Sequence, residues 1–201
     1  MLVEATTLLL TGLNRHIHAA DGNPVGSADI AILGNPSQLE NPDVGPTLEN
    51  QVLLTLINVE EEAALKNGQT VFRENGGVAV RHRPVYLNLF LIFSASYANY
   101  QTALQRLGQV VTYFQSQKRF DPSLFPGAVA GLPPETELSL TVELVTLTLE
   151  EINHIWGALG GRELPFAAYR ARLVVMQADR PAEGGGLIRD VEVGLRDLVG
   201  G

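Results

Sequence analysis

One uncharged stretch limits the folds open to this chain. Between Arg83 and Arg106 there are 22 residues without a charged side chain, nearly the length of a transmembrane helix. Asn88, Ser94 and Gln101 interrupt the stretch, and its first half, PVYLNLFLIFSASY, is rich in residues that favour strands. The stretch therefore predicts a strand buried on both faces at the centre of a sheet, rather than a membrane span.

A helix is predicted to follow this strand directly. Apolar residues recur there at steps of four, three, four and three, which is the spacing of one helical face. These residues are Tyr100, Leu104, Leu107, Val111 and Phe114. We expect the helix to pack on the sheet through this face.

The N-terminal half predicts a helix and two long loops. Apolar residues repeat at helical spacing over about residues 2–17, and Gly22 is the first of the residues that end this helix. Residues 34–47, GNPSQLENPDVGPT, are expected to form a long exposed loop, because their composition is that of turns. A second long loop is expected around Gly76 and Gly77.

The remaining regular elements are three strands and one helix. In the helix, Thr148 and Glu151 have the spacing of a capping box. These elements are predicted over residues 51–59, 138–144, 148–161 and 166–177. The resulting order, α-β-β-α-β-α-β, predicts a single α/β domain with a mixed sheet and flanking helices over residues 1–178, followed by a C-terminal tail over residues 179–201.

Composition excludes several classes of protein. The chain has no cysteine, which removes disulfides, thiolate zinc sites, iron–sulfur clusters and cysteine nucleophiles. Its net charge of −8 removes the electrostatic basis for nucleic-acid binding. The chain has two lysines and twelve arginines. Because arginine is the cation enriched at protein contacts, much of the surface is expected to be covered by other proteins when the chain functions. Arginine-rich codon usage in the source genome is the alternative interpretation.

No catalytic, cofactor-binding or metal site is predicted. His16 and His18 are two residues apart on a helix, about 200° around its axis, so they cannot share one metal ion. Glu60, Glu61 and Glu62 could bind a cation, but the N-terminus of a short helical turn beginning there explains them better. The glycine-rich signatures of nucleotide-binding loops do not occur in the sequence.

Four segments carry a family resemblance. They are NVEEEAALKN (58–67), PVYLNLFLIFSASYANYQTAL (84–104), LEEINHIWGALG (149–160) and PFAAYRARLVV (165–175). In order and spacing they resemble the cap, or tail-terminator, proteins of phage-tail-like contractile injection systems, and the resemblance covers most of residues 1–177. It implies a hexameric ring of α/β subunits that ends the inner tube and holds the last ring of the contractile sheath.

The resemblance implies partners rather than chemistry. The expected partners are other copies of this chain, the inner tube protein and the sheath protein, with no nucleic acid, no membrane span, no cofactor and no enzymatic activity. The N-terminus has Glu4 ahead of a short apolar run, so no signal peptide is predicted and assembly in the bacterial cytoplasm is expected. The alternatives are another ring of the same apparatus, such as a baseplate or neck adaptor, and an α/β enzyme or small-ligand module.

Four arginines are candidate assembly residues. Alternation along the last strand places Arg170 and Arg172 on the face opposite to Tyr169. Arg81 and Arg83 flank a histidine in a basic patch. In a chain this acidic, outward guanidinium groups are expected to meet carboxylates of a neighbouring subunit or of the sheath. Pairing with carboxylates of the same chain is the alternative.

Overall fold

The computed structural model describes residues 1–24, 26–62, 71–74, 77–80, 85–130 and 136–177. Its helices are α1 (Leu2–Asp21), α2 (Gly45–Leu48), α3 (Tyr100–Ser116) and α4 (Leu149–Ala158). Its strands are β1 (Ala31–Leu33), β2 (Gln51–Glu61), β3 (Val71–Glu74), β4 (Gly77–Val80), β5 (Val85–Ser96), β6 (Arg119–Phe120), β7 (Thr136–Val145) and β8 (Phe166–Gln177). Each helix and strand of the predicted order is present, with bounds that differ by a few residues.

Six strands form one mixed sheet in the order β1-β2-β5-β8-β7-β6. β1 is parallel to β2, and the other neighbours are antiparallel. β3 and β4 form a separate two-stranded hairpin. The uncharged strand β5 lies third in the sheet, and the predicted α/β class with a mixed sheet and flanking helices is confirmed.

One face of the sheet, which we call the inner face, is covered by α1 and α3. Leu8 and Leu13 of α1 and Phe114 of α3 share one apolar cluster with strand residues that include Phe93 and Tyr169. The rings of Phe93, Phe114 and Tyr169 have centroids 4.9, 5.0 and 5.6 Å apart, within the range of favourable aromatic pairs. The main core of the protein therefore lies between this face and the two long helices.

The opposite, outer face is covered by α4 and the segment before β2. Trp156 of α4 is 3% exposed, belongs to a second apolar cluster with Leu53, and has its ring 5.4 Å from that of Phe166. The Thr148 hydroxyl accepts from the amide of Glu151, and the Glu151 carboxylate accepts from the amide of Thr148 at 2.8 Å, so the predicted capping box is confirmed. α4 is thereby fixed over the start of β2 and of β8.

The side of α3 that meets the core differs from the predicted one. The buried residues of this helix are Ala103, Val110, Tyr113 and Phe114. Of the predicted face only Phe114 is buried, whereas Tyr100 is 66% and Leu104 is 47% exposed. The prediction is wrong here because α3 packs against α1 as well as the sheet. A Cβ on Gly12 of α1 would lie 1.9 Å from the Tyr113 hydroxyl, so glycine permits the close approach that turns α3 toward α1.

The two predicted loops contain short regular elements. Pro36 and Leu39 are buried beside α4, and α2 begins at Gly45, so residues 34–47 are not a wholly exposed loop. The second loop contains β3 and β4. These elements, together with β1 and β6, are two to four residues long and thus too short to show a periodic pattern in sequence.

β2 continues into the run of glutamates. Glu60 and Glu61 pair with β5, so the prediction that these glutamates lie at the N-terminus of a helical turn is wrong; the rest of that predicted turn lies outside the described residues. Strand alternation places Glu60 and Glu62 on the outer face, where charged side chains need no helix N-terminus to explain them. The predicted tail, residues 179–201, lies outside the described residues.

Candidate interaction surfaces

Part of the outer face carries rows of polar side chains instead of a helix. We call this part the open sheet face, and its rows run across β2, β5, β8 and β7. The rows are Asn58–Phe90–Arg170–Glu143, Glu60–Asn88–Arg172–Thr141 and Glu62–Tyr86–Val174–Ser139. Its most exposed members are Asn58, Glu60, Glu143, Arg170 and Arg172. The open sheet face is therefore a charged surface held by four paired strands.

Two arginines form ion pairs on the open sheet face. Nη2 of Arg170 lies 3.2 Å from Oε2 of Glu143, its cross-strand neighbour on β7. Nε of Arg172 lies 3.2 Å from Oε2 of Glu62. The arginine side chains remain 44% and 52% exposed, and ion pairs at such exposure contribute about 0–1 kcal/mol to folding. Both guanidinium groups are therefore accessible, and the fold depends little on their present partners.

The structure places two of the four arginines singled out in the sequence. Arg170 and Arg172 lie on the outer face, opposite to Tyr169, as strand alternation predicts. Pairing within the chain, the alternative to a role in assembly, is present for both. Their role in assembly stays a prediction. Arg81 and Arg83 lie outside the described residues.

A cleft of about 210 Å³ lies between the open sheet face and α4. Phe90, Val145 and Ile155 are among its apolar lining residues. At this point the pairing of β2 with β5 shifts register between Leu56 and Asn58, which is a β-bulge. Before the bulge the outer face of β2 lies under α4, and after it the strand enters the open sheet face. The bulge thus marks the boundary between the covered and open parts.

A larger groove, about 710 Å³, lies between α1 and the edge strand β1. Asn14, which is 6% exposed, joins the two elements in this groove. Its Oδ1 accepts from the amides of Ile30 at 2.9 Å and Ala31 at 2.7 Å, and its Nδ2 donates to the carbonyl of Ala31 at 2.8 Å. Sequence reasoning missed this residue, although a polar side chain four positions after Leu10, on the apolar side of a helix, was a signal for it.

The C-terminal end of α1 is joined to α3 by a polar network. Asp21 forms an ion pair with Arg106 and accepts a hydrogen bond from Nε2 of Gln109 at 2.8 Å. Arg106 also donates to Oε1 of Gln109 at 2.9 Å. Burial would raise the pKa of Asp21, but the hydrogen bonds from Arg106 and Gln109 outweigh it and lower that pKa below its ordinary value. The network therefore favours an ionised Asp21.

The titratable groups form no metal-binding cluster in the part of the chain that the structure describes. No three histidine, aspartate or glutamate side chains there lie where they could hold a metal ion. Burial raises the pKa of Tyr169 to about 12, which keeps its hydroxyl protonated. None of the described helices is long and apolar enough to cross a membrane.

Comparison with known proteins gives the family of this chain. The Pvc16 N-terminal domain matches residues 4–190. The chain belongs to the Pvc16 N-terminal domain family. This membership confirms the resemblance to tail-terminator proteins that four segments of the sequence carry.

Two solved structures are similar to this chain. The cryo-EM structure of the anti-feeding prophage cap, the AFP tube terminating cap, has a TM-score of 0.55 and 13% identity, over 92% of this chain and 59% of that one. The PVC sheath/tube terminator of an extracellular contractile injection system, in the extended state, has a TM-score of 0.47 and 13% identity, over 94% and 64%. No curated protein matches. The chain thus has the fold of the AFP cap and spans 59% of the length of that cap chain.

Proposed function

We propose that this chain caps the tube of a phage-tail-like contractile injection system. One observation carries the proposal: a member of the Pvc16 N-terminal domain family has the fold of the AFP tube terminating cap over 92% of its length. A cap acts by occupying the end at which a polymer grows. Such a role requires contact surfaces and no reacting group, so the proposed function is structural, without enzymatic activity or cofactor.

The proposed assembly is a closed ring of six copies. An interface that repeats head to tail must close into a ring, because otherwise it produces a filament. A cap that follows the symmetry of a sixfold tube closes with six copies, and six chains of 21.7 kDa give about 130 kDa. Native mass measurement, or the symmetry of the assembled particle, checks this number. A stable dimer in both settings would contradict the ring.

The open sheet face is the proposed contact with a neighbouring subunit or the sheath. Interfaces between proteins are enriched in arginine, and Arg170 and Arg172 are half exposed on a support of four paired strands. Their present partners, Glu143 and Glu62, are carboxylates that a neighbour's carboxylates can replace. Forming the contact would therefore replace ion pairs within the chain by ion pairs with the neighbour, and the apolar core would stay unchanged.

Particles assembled without this chain test the cap proposal. The tube and sheath subunits should still polymerise, but tube lengths should broaden or sheathed particles become rare, because nothing occupies the growing end. Supplying the chain in trans should restore the length distribution in electron micrographs. An unchanged length distribution with intact sheaths would contradict the proposal.

The position of the chain in the particle separates a cap from other rings. We propose assembly in the bacterial cytoplasm and a place at the end of the particle distant from the target membrane. A tagged chain imaged in assembled particles should label that end alone. Labelling of the baseplate would assign the chain to a different ring.

A further inference from the structure

One side of α3 carries four apolar residues, of which two are exposed in the described part of the chain and two pack partly against the main core. We call this side the α3 flank; it consists of Tyr100, Leu104, Leu107 and Val111. Tyr100 is 66% and Leu104 is 47% exposed, while the other two are half buried. Helical spacing places the α3 flank opposite to Arg106 and Gln109, the residues that bind Asp21 of α1.

Leu144 of β7 is another apolar residue that the described part of the chain leaves exposed. It is 60% exposed and lies on the inner face, paired with Tyr169 of β8. The ring of Tyr169 in turn contacts Phe114 of α3, at a centroid distance of 5.0 Å. Leu144 is thus separated from α3 by the buried rings of Tyr169 and Phe114, and it is a further exposed apolar residue on the side of the sheet that α3 covers.

The helix that carries the α3 flank has almost no charge. Arg106 is the one charged residue in α3, and it is paired with Asp21. An exposed apolar surface depleted of charge is typical of a contact surface rather than of a free one.

The C-terminal sequence has an apolar pattern that matches such a surface. In residues 187–199, LIRDVEVGLRDLV, six apolar residues fall within about 120° of a helical wheel. These six are Leu187, Ile188, Val191, Leu195, Leu198 and Val199. The five charged residues and Val193 fall on the remaining side. A helix of this sequence would be about 20 Å long, similar to the α3 flank, which spans about 17 Å.

The position of the end of β8 brings this segment within reach. Gln177 pairs with Thr136 of β7, at the far end of the strand that carries Leu144. At about 3.4 Å per residue, that end lies about 27 Å from Leu144. Residues 178–186, which include three consecutive glycines, span about 30 Å when extended. The linker is therefore long enough to bring the start of the segment level with Leu144.

We propose that residues 187–199 dock as an amphipathic helix on the α3 flank of the same chain. The six apolar side chains cover Tyr100, Leu104 and Leu144, and the charged side faces solvent. The contact belongs to the single subunit, so it holds or fails independently of the proposed role as a cap.

Disulfide trapping tests the contact in the full-length protein, because the natural chain has no cysteine to interfere. Leu104→Cys is combined in turn with Leu187→Cys, Val191→Cys or Leu195→Cys. Under mild oxidation at least one pair should form an intramolecular disulfide, which is seen as a monomer band of higher mobility on a non-reducing gel. The rate of its formation should be at least tenfold higher than in the controls.

The matched controls are Leu104→Cys with Arg189→Cys or Arg196→Cys, which have the same reach but lie on the charged side. Equal rates for the two sets, or no intramolecular disulfide in either, would overturn the proposal. Covalent dimers in place of cross-linked monomers would also overturn it, because the segment would then dock on another copy.

Limited trypsin digestion gives a second measurement without introduced cysteines. Docking should slow cleavage after Arg189 and Arg196 at least tenfold relative to the double variant Leu187→Asp/Leu195→Asp, whose apolar side cannot bind. A thermal transition unchanged between the two proteins confirms that the core is intact. Equal cleavage rates would contradict docking.

Discussion

On the inner face of the sheet, β5 presents Leu89, Leu91 and Phe93 to two long helices, and all three are at most 1% exposed. On the outer face, beyond the bulge in β2, the same strand presents Asn88 and Phe90, which are half exposed. One set of strands thus supplies an apolar core on one side and a charged surface on the other. The difference indicates that the open sheet face contributes little to folding and is free to serve contacts.

The largest expected effect comes from matched truncations on the two faces of β5. Phe93→Ala should lower the free energy of unfolding by about 3–5 kcal/mol, because it leaves a cavity in the main core. Phe90→Ala, three positions away, should lower it by about 1 kcal/mol, because its ring is already partly in water. Chemical denaturation of both variants measures the contrast. Similar losses would contradict the division between the faces.

The bond between α1 and the sheet edge gives the next largest effect. Asn14→Ala removes three hydrogen bonds and leaves buried backbone groups of Ile30 and Ala31 without partners. We expect a loss of about 2–3 kcal/mol in the free energy of unfolding. Thr11→Ala on the exposed side of the same helix is the control and should change it by less than about 0.5 kcal/mol. A loss no larger than that of the control would show that Asn14 is dispensable.

A smaller, pH-dependent effect is expected at Asp21. Because the pKa of this carboxyl is lower in the folded chain, its contribution is present above the unfolded pKa, near 4, and is lost as the pH falls through the folded pKa. Asp21→Asn should therefore be about 1–2 kcal/mol less stable at pH 7, and the difference should shrink in acid. Thermal melting from pH 7 to pH 2 measures it, with Asp29→Asn on an exposed carboxylate as the control. A difference independent of pH would contradict the assignment.

The smallest effect on folding is expected on the open sheet face. Changing both Arg170 and Arg172 to Glu should alter the free energy of unfolding by about 1 kcal/mol or less. Particle yield should nevertheless fall, because a reversed charge in an interface can lose about 2 kcal/mol or more of association energy per contact. Melting of the subunit and particle counts are measured together.

A charge exchange separates contacts within the chain from contacts in assembly. Arg170→Glu with Glu143→Arg restores the ion pair inside the subunit but reverses the charges that a partner meets. Particle yield should remain low in this variant. Full recovery of yield, or a double arginine variant that unfolds by itself, would show that these arginines serve the fold.

The elements that follow local rules could be predicted from sequence. The uncharged run of β5, the capping box at Thr148 and the alternation around Arg170 each depend on neighbours along the chain, and all three are present. The same rules gave wrong predictions where a residue's burial or secondary structure depends on an element distant in sequence. The buried side of α3 is set by α1, and Glu60 remains in a strand because β5 pairs with it.

The ion pairs of the open sheet face and the hydrogen bonds of Asn14 could not be predicted from local sequence for the same reason. The partners of Arg172 and Asn14 come from other strands, and only the assembled sheet brings them together. Alternation predicted the face on which the arginines lie, but no local pattern identifies Glu62 as a partner 110 positions away in sequence.

The two edge strands of the main sheet bear on how such a protein avoids aggregation. They are three and two residues long, and the backbone amide and carbonyl of Ala31 are already bonded to Asn14. At β1, an unpaired strand from another molecule finds the backbone of Ala31 already bonded, which makes this edge a poorer template for uncontrolled β-association. The proposed cap must stop one polymer without seeding another, and the bonds from Asn14 to Ala31 leave recognition at this edge to side chains, which discriminate between partners as backbone pairing does not.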